Sequence, residues 1–489
     1  MEEMPIHHRL MTMKVSTARW VAGVGAFLLA SVVLTLWSSP AWAIPAFARK
    51  YDIPCSGCHL PGFPKLNDVG NQFRDHGYQL GEDDDLPTFE GLTKGYWPVS
   101  FRTTVGYQYA TLHHAQGELN TTNNLTSGSF GFTGLDILSF GTLARNVSFG
   151  IVYTPGLGSA GFNSGSTAGG GDLESAFVKL DNIFHKDYLV NLKVGKYELD
   201  LPASEKRSPT LNTEYVMYHY IAGTPYTTSL VNPCANTVTC NPTTGYGNAN
   251  DFSLGENQSG VELAGIQSFH GNFLRYSLNA ISNSNLNQGG TGGGRAVNFY
   301  GRVSQSFKGY GVVSGQRVGL FGAYGVAPTT PNAACPSGGC GAIGGGNEPF
   351  YRVGADVSLT AFGQFNFIGA AMRAKDDKSL VAATIGIPQD AVWYGAFAEL
   401  NYNPVQLPDW LFIYRYDLIR NAQQGDSGYS DSFNNVDSHT VMARYYFNIS
   451  TRVDTTLHFE YNYYRTKDTS PTGGDQYGQT ALVALDFAL

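Results

Sequence analysis

Along most of this chain, from about Trp97 to Leu489, polar and apolar side chains alternate in runs of roughly ten residues separated by turn residues. In "TLHFEYNYY", Leu457, Phe459, Tyr461 and Tyr463 fall on one face and His458, Glu460 and Asn462 on the other. "TVMARYYFN" sets Val441, Ala443, Tyr445 and Phe447 against Met442, Arg444 and Tyr446, and "FRTTVGYQY" aligns Phe101, Val105, Tyr107 and Tyr109. A period of two with one apolar face predicts a strand with oil on one side and polar surroundings on the other. Connections alternate between short turns at 184–187, 269–272 and 362–364 and long loops at 198–258 and 327–346. About sixteen strands fit between residue 97 and the end. The last, "TALVALDFAL", alternates Ala481, Val483, Leu485, Phe487 and Leu489, as a closing strand does. This reads as an all-β fold, an outer-membrane β-barrel of about sixteen strands.

The front of the chain follows a different pattern. Lys14 and Arg19 precede an uncharged apolar stretch from Trp20 to Trp37, and Ala41-Trp42-Ala43 is a small-x-small cleavage signature. These predict a signal peptide over 1–43, with Met11 or Met13 as an alternative start and an uncleaved anchor as the competing reading. From Pro64, Leu66, Val69, Gly70 and Phe73 recur at helical spacing, and Gly77 marks a helix end. A small helical domain over 44–94 therefore precedes a barrel over 95–489.

Composition strengthens the barrel reading. Charged residues make up 14% of the chain, against about 25% in ordinary soluble proteins, and there are 59 Gly. The 29 Tyr and 29 Phe concentrate near strand ends, as an aromatic girdle would. A propeller, the main soluble rival, predicts blade repeats of about 40–50 residues, and the sequence has none. The net charge of −8 argues against nucleic acid as a partner.

Chemistry sits at the front. Within "IPCSGCHLPGFPKLND" (53–68), Cys55-Ser56-Gly57-Cys58-His59 is C-x-x-C-H, the attachment pattern of haem c. Two thiols at this spacing add to the two vinyl groups of one porphyrin, and the adjacent His59 is brought under the iron as proximal ligand. A C-x-x-C redox pair would need a thioredoxin-like βαβ context, which is lacking. Leu66 and Phe73 are expected to bury against the porphyrin, with Gly70 allowing close approach. For the sixth iron position, His76 lies three residues after Phe73 on the same helical face; Met217, Met372 and Met442 are the methionines available from the barrel. A histidine favoured by the helix C-terminal dipole is the plainer reading of His76. Arg74 and His76 form too thin a pair for peroxidase chemistry. Cys234/Cys240 and Cys335/Cys340 lie in Gly/Pro/Asn/Thr-rich stretches of an exported chain, and each pair is expected to staple a loop as a disulfide. The acidic run Glu82, Asp83, Asp84 and Asp85, with Asp426 and Asp431, marks places where cations or partners would gather.

"PAFAR" (45–49), Cys55-x-x-Cys58-His59, Pro64-x-Leu66-Asn67-x-x-Gly70-x-x-Phe73 and Gly77-Tyr78 together resemble the fused outer-membrane monohaem cytochrome–porin family, the iron-oxidising outer-membrane cytochromes. "GKYELDLPASEKR" (195–207) is similar to a segment of related porin barrels. The likeness covers the whole chain in architecture and its first part in motif. It implies one covalent haem c set into or under a barrel, with periplasmic termini. Electrons would pass from extracellular Fe(II) to a periplasmic carrier, a cytochrome c or a copper protein. A porin plugged by a haem domain, and the same conduit with another donor or acceptor, are the alternatives. The lipid-facing band is about 25 Å tall, so a haem reaching both sides must sit within the sleeve.

Overall fold

The structure, a computed structural model, describes residues 46–60, 64–80, 98–116, 122–155, 171–222, 250, 252–282, 297–311, 315–329, 346–380, 390–422, 435–450, 453–467 and 475–488. The leader, the acidic run 82–85, Asp426, Asp431 and both pairs of loop cysteines lie outside these residues.

The alternating pattern folds into sixteen strands. The first eight are β1 (Val99–Gln116), β2 (Thr122–Ala144), β3 (Val147–Thr154), β4 (Asp172–Leu180), β5 (Asn191–Tyr197), β6 (Gln258–Phe269), β7 (Asn272–Ser282) and β8 (Val297–Phe307). The second eight are β9 (Gln316–Thr329), β10 (Gly346–Ala361), β11 (Phe365–Asp376), β12 (Ala391–Tyr402), β13 (Trp410–Asn421), β14 (Asn435–Ser450), β15 (Val453–Lys467) and β16 (Gln476–Ala488). Each pairs antiparallel with its sequence neighbours, and β1 closes on β16 through the register Arg102↔Ala488 to His113↔Tyr477. Closure leaves no sheet edge unpaired.

The faces are inverted relative to a soluble protein. On β14 the apolar Val441 is 52% exposed while Arg444 is fully buried; on β15 Phe459 and Tyr461 point outward and His458, Glu460 and Asn462 inward. A strand in this arrangement needs apolar surroundings outside and internal partners for its polar groups. The lumen supplies those partners through ion pairs such as Arg415 with Asp417 (2.9 Å) and Arg302 with Asp356 (2.7 Å).

The connections β2–β3, β4–β5, β6–β7, β8–β9, β10–β11, β12–β13 and β14–β15 lie at the end of the barrel that carries the start of β1 and the end of β16. At one of them His270 and Gly271, both at positive φ, join β6 to β7 in a two-residue hairpin. The long connections lie at the opposite end. The long loop over 198–258 turns inward in its described parts: residues 198–222 and 252–257 run into the lumen. Backbone groups there would be costly to bury unpaired, and inward side chains of the barrel meet them. Tyr300 donates to the Asp200 carbonyl (2.6 Å), Arg444 to that of Pro209 (2.9 Å) and Arg415 to that of Glu214 (2.8 Å). Glu460 accepts from the Leu211 amide (2.7 Å) and the Thr213 hydroxyl (2.8 Å). Sequence periodicity cannot reveal this, because an irregular segment has no period.

The front segment forms α1 (Ala46–Tyr51), a 3₁₀ turn (Cys55–Gly57) and α2 (Asp68–Asp75). A further short helix, α3 (Val216–His219), belongs to the lumenal segment. The front segment sits at the short-turn mouth. Lys65 Nζ donates to Asn366 (3.2 Å) on β11 and Asn401 (2.9 Å) on β12, and Lys179 Nζ on β4 donates to the Asp75 carbonyl (2.8 Å). The Ala46 amide donates to Ser100 (2.8 Å) on β1.

Candidate functional site

The attachment turn is built locally. The Gly57 amide donates to the Pro54 carbonyl (2.9 Å), and those of Cys58 and His59 donate to the Cys55 carbonyl (3.1 and 2.9 Å). This winding places two thiols and the imidazole on one tight turn. Cys55 and Cys58 carry free thiols, unbonded to one another.

Helix α2 is clamped to that turn at its first residues. Asn67 caps it by accepting the Gly70 amide (2.9 Å), while its side-chain amide donates to the carbonyls of Ser56 (3.2 Å) and Gly57 (3.1 Å). A Cβ at Gly70 would collide with the Cys58 carbonyl. The glycine expected to admit the porphyrin therefore admits the attachment turn itself. The helix ends in a Schellman motif: the Tyr78 amide donates to Phe73 (2.9 Å) and that of Gly77 to Arg74 (3.2 Å), with Gly77 at φ 72°. Phe73 then packs edge-on to Phe47 (4.8 Å between centroids), Tyr51 (5.6 Å) and Tyr78 (5.8 Å).

Cys55, Cys58, His59, Leu66 and Phe73 all line one cavity of about 1120 Å³ between the front segment and the lumenal segment. That is at or above the upper end of small-molecule sites, about 300–1,000 Å³, and admits a group of porphyrin size. Burial lowers His59 to a pKa of about 4, against hydrogen bonds to the Pro64 and Lys65 backbone carbonyls that act to raise it. The imidazole is thus neutral, the form that ligates iron. Burial, with the Asp454 charge second, pushes the Cys55 thiol up to about 12, and burial also raises Cys58. Arg102, Lys193, Arg207 and Arg317 also line the cavity, paired with Asp486, Glu262, Glu198 and Asp356. The donor set and the apolar part of the lining fit a haem c that Cys55 and Cys58 would attach and His59 would ligate.

The sixth-ligand candidates are not brought there. Among the described residues lining the cavity, His59 is the only histidine and there is no methionine. His76 caps α2 and stacks on Tyr188 of the β4–β5 turn (centroids 4.1 Å, planes 8° apart); burial lowers its pKa. Met217 lies over Gly395, Met372 in the lumenal core, and Met442 with Leu411, Ile413 and Tyr446.

Sequence reading missed the groups that seat the front segment. Asp75 pairs with Arg74 (2.9 Å), with Arg275 of β7 and with the Tyr310 hydroxyl. Burial alone would raise its carboxyl; the guanidiniums of Arg275 and Arg74 outweigh that and hold it well below the usual range. Arg275 and Arg302 also meet Asp200 (3.0 and 3.2 Å) of the 195–207 stretch.

No protein-family model and no curated protein matches the chain. Among solved structures, the outer-membrane channel DcaP of Acinetobacter baumannii aligns over 79% of this chain and 96% of its own, at 9% identity and a TM-score of 0.43. OprB of Pseudomonas putida aligns over 82% and 96%, at 11% identity and 0.44. OmpT of Vibrio cholerae aligns over 79% and 97%, at 10% and 0.41. The closed register of the sixteen strands establishes the barrel independently of these likenesses, and the chain is an all-β, sixteen-stranded antiparallel barrel.

Proposed function

We propose that this protein is an outer-membrane electron conduit that oxidises extracellular Fe(II) through one haem c and passes the electron to a periplasmic carrier, a cytochrome c or a copper protein. The observation that carries the reading is the convergence of two free thiols and a buried neutral imidazole on one large cavity inside a closed barrel. The apolar outer face of the strands suits outer-membrane lipid, and the short-turn end, where the front segment docks, is the expected periplasmic side.

Cys55 and Cys58 would hold the haem and His59 would ligate its iron, with Leu66 and Phe73 beside it in the cavity lining. Bound there, it would supply a one-electron couple. The chain's own part is positional and electrostatic. Asn67 and the bare Gly70 keep the turn and α2 in register. Backbone groups of Pro64 and Lys65 orient the His59 ring. Lys65, Asp75 and Lys179 hold the assembly against the barrel wall. Fe(II) needs only outer-sphere contact or weak carboxylate ligation, so no tight iron site is required.

The test is the absorbance spectrum of the purified protein before and after anaerobic Fe(II), with a midpoint potential at the growth pH. Appearance of reduced haem supports the reading. A potential far below that of the iron couple at that pH overturns Fe(II) oxidation.

A solute channel plugged by the haem segment is the second reading, favoured by a strand number at which barrels leave an aqueous lumen. Free ion conduction with the haem segment in place would decide for it.

A further inference from the structure

The outer half of the lumen carries a packed apolar cluster beside buried polar groups such as Arg352 and Asp376, where a barrel interior is ordinarily polar, and its side chains have an order. Tyr215, just ahead of α3, lines the cavity. Its ring lies 4.5 Å from that of Phe397 on β12 and 5.5 Å from that of Tyr218. Above Phe397, Gly395 leaves a bare patch on the same face of β12. A Cβ there would lie 2.7 Å from the Met217 Cβ and 3.2 Å from the Trp393 ring, so both side chains border the bare glycine. Trp393 stands edge-on to Tyr220 (4.9 Å), and the Arg352 guanidinium lies over its ring (5.0 Å). Tyr215, Met217, Phe397, Trp393 and Tyr220 are each at least 97% buried. Glu399 also lines the cavity. Trp393 lies six residues from it on the same strand, about 20 Å at the usual rise, and two positions from the end of β12 that meets a long connection. The column thus runs from the cavity to the outer end of the barrel.

Aliphatic side chains would fill this space as well. Two aromatic pairs, Tyr215 with Phe397 and Trp393 with Tyr220, do more, because electron tunnelling falls off exponentially with distance and decays more slowly through packed matter than across gaps. The polar tips are also accounted for: Tyr215 donates to Glu399 (2.7 Å), Trp393 to Asp376 (3.0 Å) and Tyr220 to Asn421 (3.3 Å).

We propose that the column Tyr215–Phe397–Met217–Trp393–Tyr220 is the electronic bridge between a donor at the outer end of the barrel and the cavity. It rests on the electron-conduit reading above. One electron leaves a ferrous donor, which becomes ferric, and the same electron is gained by the ferric centre held at Cys55, Cys58 and His59. The column undergoes no net oxidation or reduction, and Tyr215 keeps its proton on the bond to Glu399.

The test uses the full holoprotein and the variants Trp393→Leu and Trp393→Phe. One readout is the rate at which a membrane-impermeant ferrous chelate, added at the long-loop face of liposomes, reduces the haem. The other is the electron-transfer rate by voltammetry of lipid films adsorbed through that face, with no ferrous donor. Trp393→Leu is expected to slow both severalfold and Trp393→Phe to restore most of the rate, with haem spectrum, midpoint potential and ion conductance unchanged. A leucine variant as fast as wild type, or a phenylalanine variant as slow as leucine, overturns the bridge. Should Trp393→Leu lose haem or leak ions, Phe397→Leu is measured in both ways instead: severalfold slowing supports the bridge, and a wild-type rate overturns it. Wild type that responds in the film but not to the ferrous chelate sinks Fe(II) as donor and leaves the bridge to be decided by voltammetry. Wild type that responds in neither overturns both.

Discussion

The two halves of the lumen differ in what fills them. At the short-turn end, charged side chains face one another and a large cavity remains between the front segment and the wall. At the long-loop end, Trp393, Phe397, Tyr218 and their neighbours close into a packed apolar core. A channel for solutes needs polar continuity through both halves; a conduit for electrons needs a held cofactor in one and dense matter in the other. The contrast is what separates the two functional readings.

The comparison can be broken most decisively at the cavity. Cys55→Ala and Cys58→Ala should each abolish or sharply reduce covalent haem on a denaturing gel, and full staining of both would remove the cofactor from that half. The outer half is tested by Phe397→Ala. If it is a packed core, the change should destabilise the barrel by about 3–5 kcal/mol in denaturant unfolding; a shift near zero would mean a wet pore.

Asp75→Asn sharpens the electrostatic side. Removing one member of a buried ion pair destabilises by about 3–5 kcal/mol, and the low end is expected because Arg275 retains Asp200. The folded Asp75 pKa lies below its ordinary 3.8. Its contribution is therefore fully present above about pH 4 and lost only as pH falls through the still lower folded value. The stability difference between wild type and Asp75→Asn should be constant from pH 7 to 5 and shrink in strong acid; growth of that difference on acidification would contradict the assignment. The smallest effect is expected from His76→Leu. Losing the stack on Tyr188 should cost about 0.5–1.5 kcal/mol and leave the haem spectrum unchanged. A change of iron ligation in that variant would place His76 at the cavity after all.

Much of this was legible in the chain. Alternation in β14, β15 and β16 assigned lipid and lumen faces residue by residue, because a strand side chain has only two directions to point. The turn Cys55–His59 and the helix stop at Gly77 were legible because both are local, set by spacing and by the backbone freedom of glycine. Helix α2 itself is shorter than expected: it starts at Asp68, since Asn67 takes the cap and Leu66 pairs back with His59. His76 illustrates the limit. Its helical position was readable, but the partner, Tyr188, comes from a turn 112 residues away.

The sequence alone determined the barrel class and the even strand number, and it holds the C-x-x-C-H motif on which the haem proposal rests, since each follows from spacing of a few residues or from the period of a strand. Only the tertiary structure decided where the front segment docks, that residues 198–222 turn inward, and that Tyr215, Phe397 and Trp393 come into line. Those outcomes depend on which charges and rings from distant strands meet once the barrel closes, and closure pairs residues nearly 400 positions apart, as in Arg102 with Asp486 (3.2 Å).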